Sequence, residues 1–167
     1  MVSAMTKIVV RKPSECSESE LDSFEALVRK GGEVTVLGLR DRIRQNAKSL
    51  VFLVEEDGTL AGIASLKEPN ISYKKSIFKK AESKENPDEF IFEAGWIYVE
   101  EQYRGRKYSH LLLEEVLRLA GENRVYATTR ENNEAMRRTN LRFGLEQSGQ
   151  PYKSKEGDYN LILYTKR

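Results

Sequence analysis

Apolar and polar residues follow two periods along this chain, and the changes from one to the other mark its elements. Ile8, Val9 and Val10 form a short strand closed by Pro13. Leu21, Phe24, Leu27 and Val28 then recur at helical spacing. Ser17 with Glu20 is a capping box at the front of that helix, and Gly31-Gly32 ends it. A weaker helical pattern, with Leu39, Ile43 and Ala47 on one side, covers about residues 39–48. Leu50 to Glu55 and Leu60 to Leu66 read as strands, and Asp57-Gly58 between them signals a hairpin.

The most distinctive stretch runs from Phe90 to Gly121. Phe90 to Val99 is almost continuously apolar, the pattern of a strand covered on both faces. Leu112, Leu113, Val116, Leu117 and Ala120 return to helical spacing and stop at Gly121. Arg124 to Thr129 reads as a further strand. Asn132 to Phe143 reads as a helix opened by Asn and closed by Gly144. Leu145 to Gln147 and Tyr159 to Thr165 close the chain as strands, separated by a Ser/Gly/Pro/Lys loop.

Residues 71–89 fit this order least well. Ile71, Ile77, Phe78 and Ala81 can line one helix face ringed by Lys74, Lys75, Lys79 and Lys80, a pattern that also suits a partner or a membrane surface. The plainer reading, a solvated excursion with a modest apolar stripe packed on the domain, is preferred.

At 167 residues the chain is read as a single domain spanning 1–167, with 70–89 a variable insertion between the third and fourth strands. Hydrophobic content of 39% with 32% charged residues speaks against disorder. A net charge of +2 gives no warrant for nucleic-acid binding, and a nucleic-acid role for Lys74 to Lys84 is disfavoured on that ground. One cysteine, Cys16, excludes an internal disulfide and a cysteine-based metal site, so no metal is expected. The longest pure apolar run, Leu50 to Val54, is far below the roughly 20 residues of a membrane helix. With no apolar signal segment at the N-terminus, the reading is a soluble cytoplasmic protein without a membrane partner.

Between the central strand and the helix after it lies a turn with Arg104, Arg106 and Lys107. A helix that starts just after a basic turn points unpaired N–H groups and its positive dipole end at any anion there, so the turn is a phosphate-type anion site. Glu93 is an acid inside an apolar strand, an expensive place for a carboxylate unless it is paired or functional. It is either a general base, with a pKa raised by burial, or a structural partner of a nearby Lys or Arg. Gly95 suits a bulge or close packing. Trp96 and Tyr98 are read as core, and His110, off the leucine stripe, as a surface residue.

The segment Val99 to Leu113 resembles the acyl-CoA-binding motif of the GNAT superfamily of N-acyltransferases. The preferred register runs Arg104-x-x-Lys107-x-Ser109 with the leucine pair at Leu112 and Leu113, and it places Lys107 where the family has glycine. The register starting at Gln102 puts His110 on a leucine position. A second segment, Asn133 to Leu145, resembles the family's later helix, and the order of elements matches the family across essentially the whole chain.

The resemblance implies an α/β (α+β) fold with a mixed, mostly antiparallel sheet of six to seven strands, splayed at its centre and flanked by about four helices. It implies acetyl-CoA as co-substrate and transfer of its acetyl group to a primary amine of a small molecule or peptide through a ternary complex. The other reading it leaves open is a catalytically weak acyl-CoA-binding regulatory or interaction module. By the same resemblance Glu93 is the catalytic base and the Ile97 N–H the oxyanion donor. Ile97, Val99, Arg104, Gly105, Arg106, Lys107, Tyr108, Ser109, Asn133 and Asn140 contact the cofactor. Asn140 stands where the family has a tyrosine that protonates the thiolate, and Asn can donate a hydrogen bond to sulfur but not a proton. Tyr126 and Tyr164 are candidate replacements, and one of Arg137, Arg138 and Arg142 is a candidate for the adenosine phosphate. The acceptor pocket falls at about residues 30–40, 70–89 and 148–157, where Glu33, Asp41, Glu82 and Glu85 permit a cationic acceptor. A homodimer is common among such relatives.

Overall fold

Each apolar stripe becomes an element whose buried side chains reach one face of a single sheet. The computed structural model describes residues 6–32 and 34–166. Among these, eight strands lie in the order β1 (Lys7–Arg11), β2 (Ala47–Val54), β3 (Leu60–Lys67), β4 (Phe92–Val99), β5 (Val125–Arg130), β8 (Asn160–Lys166) and β6 (Glu146–Gln147), with β7 (Tyr152–Lys153) also paired to β8. All pairings are antiparallel except β4 with β5.

Five α-helices cover the two faces. α1 (Glu18–Gly31), α2 (Leu39–Asn46) and α3 (Ile71–Lys80) share one, and α4 (Tyr108–Ala120) and α5 (Glu134–Arg142) the other. α1 starts as its sequence dictates. Ser17 Oγ accepts from the Glu20 N–H at 3.1 Å and the Glu20 carboxylate accepts from the Ser17 N–H at 2.9 Å. Gly32, at φ +71°, ends the helix in the left-handed conformation that glycine adopts without strain.

The expected fold is present, with four differences. α3 is a fifth helix, because Ile77, Phe78 and Ala81 bury against Phe90, Tyr126 and Leu163 while Ile71 stays exposed. Lys74, expected in the solvated ring, is buried and donates from Nζ to the Phe90 carbonyl at 2.9 Å. β7 is a two-residue strand inside the loop expected to be irregular. β4 is covered only in its first half: Phe92, Glu93 and Ala94 are buried, and Gly95 to Val99 are half-exposed. The reason lies in its neighbour. β5 pairs with β4 at two positions, Phe92↔Val125 and Glu93↔Tyr126, and then diverges to pair with β8 along its whole length.

Candidate active site

The divergence of β4 and β5 opens a cleft of about 560 Å³ at the centre of the sheet. Its floor is Glu93, at the last parallel pair before the strands part. The Glu100 N–H bonds the Ala61 carbonyl on the β3 side at 2.8 Å. By antiparallel alternation Tyr98 also faces β3, and Ile97 and Val99 turn their N–H and C=O groups into the cleft.

A bulge sets the side chains of this stretch. Gly95 pairs with Ser65 and Tyr98 with Ile63, so β4 carries an extra residue between them. Trp96 takes the unusual backbone, with φ +50°, rather than Gly95. Trp96 and Tyr98 therefore face α1, with Trp96 edge-on to Phe24, while Ile97 and Val99 face α4. Both aromatics are part of the cleft wall as well as core.

Glu93 is 3% exposed. Its carboxylate accepts from the Tyr126 hydroxyl at 3.3 Å and lies 3.4 Å from the Lys67 ammonium, whose residue is its register partner on β3. Burial first, and the Glu93 charge second, push the Tyr126 phenol far above its ordinary range, so it stays a hydrogen-bond donor. The Tyr152 phenol rises for the same two reasons. Glu93 is thus a buried ion-pair partner that also lines the cleft.

At the other end stands the front of α4. Gly105 and Lys107 both have positive φ, +84° and +62°. Lys107 is the helix N-cap and no side chain caps the first turn; the His110 N–H turns back to the Lys107 carbonyl at 3.1 Å, which leaves the N–H groups of Tyr108 and Ser109 for another partner. Lys107 thus holds the left-handed backbone that explains a glycine at this position. Lys107→Gly is expected to stabilise the fold by about 0.5–1 kcal/mol through relief of that conformation, read as a small rise in melting temperature.

Glu93, Ile97, Val99, Arg104 and Gly105 line the cleft, as do Lys107, Tyr108, Ser109 and Asn133. Several do so in their own manner. Arg104 folds back, donating from Nε to the Val99 carbonyl at 3.1 Å. The Tyr108 ring is buried with its hydroxyl on Glu55, so Tyr108 offers only backbone. Asn133 uses its side chain to cap α5 through the Met136 N–H at 3.1 Å.

Other expected site residues stand elsewhere. The Arg106 guanidinium lies outside the cleft, 5.3 Å over the Tyr103 ring. Asn140 is wholly buried behind the wall and donates to Thr129 Oγ1 at 2.9 Å, so it does not reach the cleft. Tyr126 gives its hydroxyl to Glu93, the Tyr164 hydroxyl accepts from Arg137 Nε at 3.2 Å, and neither tyrosine lines the cleft. Arg137 also holds the Glu131 carbonyl, and Arg138 sits 3.9 Å from Glu134 on the helix surface. Neither they nor Arg142 line the cleft. His110 packs its ring edge-on to Phe143 at 5.8 Å. Glu33, weighed for the acceptor pocket, lies outside the described residues.

Sequence reasoning missed Lys67 and Tyr73, which also line the cleft. Lys67 follows directly on the apolar run of β3, and only the β3–β4 register brings it to Glu93. Among the described residues no cluster of His, Cys, Asp or Glu is placed to hold a metal ion, and no helix is long and apolar enough to cross a membrane.

The model of the acetyltransferase (GNAT) family matches residues 14–145. No curated protein shows a significant sequence match. Solved structures share the fold. ElaA of Escherichia coli superposes with TM-score 0.68 at 18% identity, covering 98% of this chain and 100% of its own. An acyl-CoA N-acyltransferase from Pseudomonas aeruginosa gives 0.66 at 15% identity, over 97% and 99%. The yncA structure from Salmonella typhimurium, solved with its cofactor acetyl-CoA, gives 0.63 at 16% identity, over 96% and 92%.

Proposed function

The chain belongs to the acetyltransferase (GNAT) family and is an acyl-CoA-dependent N-acetyltransferase, and we propose that it passes acetyl directly from acetyl-CoA to a primary amine held against Glu93. The observation that carries this reading is the parting of β4 and β5 beyond Glu93, with the uncapped front of α4 at one end of the gap. The group fits: the crevice is not filled by protein, and nothing lies within 4 Å of a Cβ built on Gly105. When bound, acetyl-CoA supplies the activated acetyl thioester and a diphosphate anion.

The chain's own residues would do the rest. The N–H groups of Tyr108 and Ser109 at the front of α4, with Lys107 beside them, hold the diphosphate. The exposed backbone of Val99 and Ile97 aligns the thioester arm. The Ile97 N–H meets the negative charge that develops on the acetyl oxygen. Glu93 takes one proton from the acceptor ammonium. As the C–N bond forms and the C–S bond breaks, the amine's second proton passes to sulfur. That route needs no dedicated acid, in keeping with Asn140, Tyr126 and Tyr164 being turned away.

Calorimetric titration with acetyl-CoA, followed by thiol release with a panel of amines, tests the proposal. Binding heat with amine-dependent thiol release is the expected result. Absence of heat overturns it, and heat without thiol release points to a binding module. Ser109→Glu separates ligand binding from folding. A carboxylate in the first turn of α4 is expected to stabilise the helix by about 0.3–1 kcal/mol. The same charge opposes the diphosphate and is expected to weaken acetyl-CoA by about tenfold or more.

A further inference from the structure

The half of the cleft that faces α1 is already furnished with a cation. The Lys67 side chain, 12% exposed, crosses β4 over Gly95, where a Cβ would stand 2.6 Å from its Cδ. Its ammonium ends 3.4 Å from Glu93 and 4.3 Å from the centroid of the Trp96 ring. Lys30 and Arg130 also belong to this wall, Lys30 held by Glu100 and Arg130 stacked 3.9 Å over Tyr159 with a hydrogen bond to the Gly31 carbonyl. Among the described residues that line the cleft, Glu93 is the one carboxylate, and Lys67 is the cation placed on it. An acceptor bearing only an ammonium would share that carboxylate with the Lys67 ammonium, like charge beside like in a largely buried place.

We propose that the acceptor is an α-amino acid or a similar molecule with a carboxylate next to its amine, Lys67 receiving the carboxylate while the amine faces Glu93. This deepens the acetyl-transfer reading above and rests on it for the identity of the site. The Lys67 ammonium has three donors, so it can hold Glu93 and an incoming carboxylate together. With the acid in place each charge in the pocket has a partner, and the amine lies beside the group that takes its proton.

Trp96 is the chain's single tryptophan and touches this ammonium, so its emission reports occupancy without any acetyl donor. L-α-amino acids are titrated against their carboxamides and decarboxylated amines, with the protein alone and with CoA added. Free acids are expected to shift the Trp96 emission at concentrations about tenfold lower than the matched amide or amine, the effect of one charge-assisted contact. Lys67→Gln is expected to erase that difference and Lys67→Arg to keep it. An amine or amide that binds as tightly as its acid, a preference that survives Lys67→Gln, or no response to any acid overturns the inference. Failure of the acetyl-transfer reading appears separately, as absent acetyl-CoA heat.

Discussion

Glu93→Gln is expected to lower the turnover number by about 10²–10³-fold, with acetyl-CoA affinity little changed. Gln keeps an oxygen to accept from the Tyr126 hydroxyl and matches the carboxylate in size, but it cannot take a proton from the acceptor. The variant also leaves the Lys67 ammonium without its partner in a nearly buried place, so some loss of stability accompanies the loss of rate. Thiol-release kinetics beside acetyl-CoA calorimetry separate these effects. Full turnover with unchanged pH dependence removes Glu93 from the chemistry.

Phe24→Ala is expected to destabilise the fold by about 3–5 kcal/mol and to lower the melting temperature by roughly 10 °C. Phe24 is fully buried, edge-on to Phe52 at 5.6 Å and to Trp96 at 6.1 Å. It joins α1 to the sheet at the bulge that shapes one wall of the cleft. Thermal unfolding measures the loss. A drop of only a degree or two would mean that the site collapses around the deletion.

The fold was legible because its signals are local. The Ser17–Glu20 capping box, the Asp57-Gly58 turn and the leucine stripe of α4 each specify an element from residues close in sequence. The basic turn before α4 was legible for the same reason, since strand, turn and helix are contiguous. What escaped depends on register. Lys67 and Glu93 are 26 residues apart and meet only through the pairing of β3 with β4. The left-handed backbone of Trp96 belongs to that pairing too, while the neighbouring Gly95 marks the bulge and leaves room for Lys67 to cross. Asn140 aligned with a functional position in sequence, but its helix turns it toward Thr129 and away from the opening. Lys74 looked solvated because helical periodicity says nothing of a carbonyl such as that of Phe90 waiting above the helix.

Two ladder rungs, Phe92 with Val125 and Glu93 with Tyr126, are the direct stitching between β1–β4 and the strands that follow. The sheet is thus a pair of plates riveted at one point, with the gap lying beyond the rivet. Amide protons at the rivet should exchange slowly whatever is bound, whereas those of Ile97 and Val99 should slow sharply once a thioester arm bridges the plates.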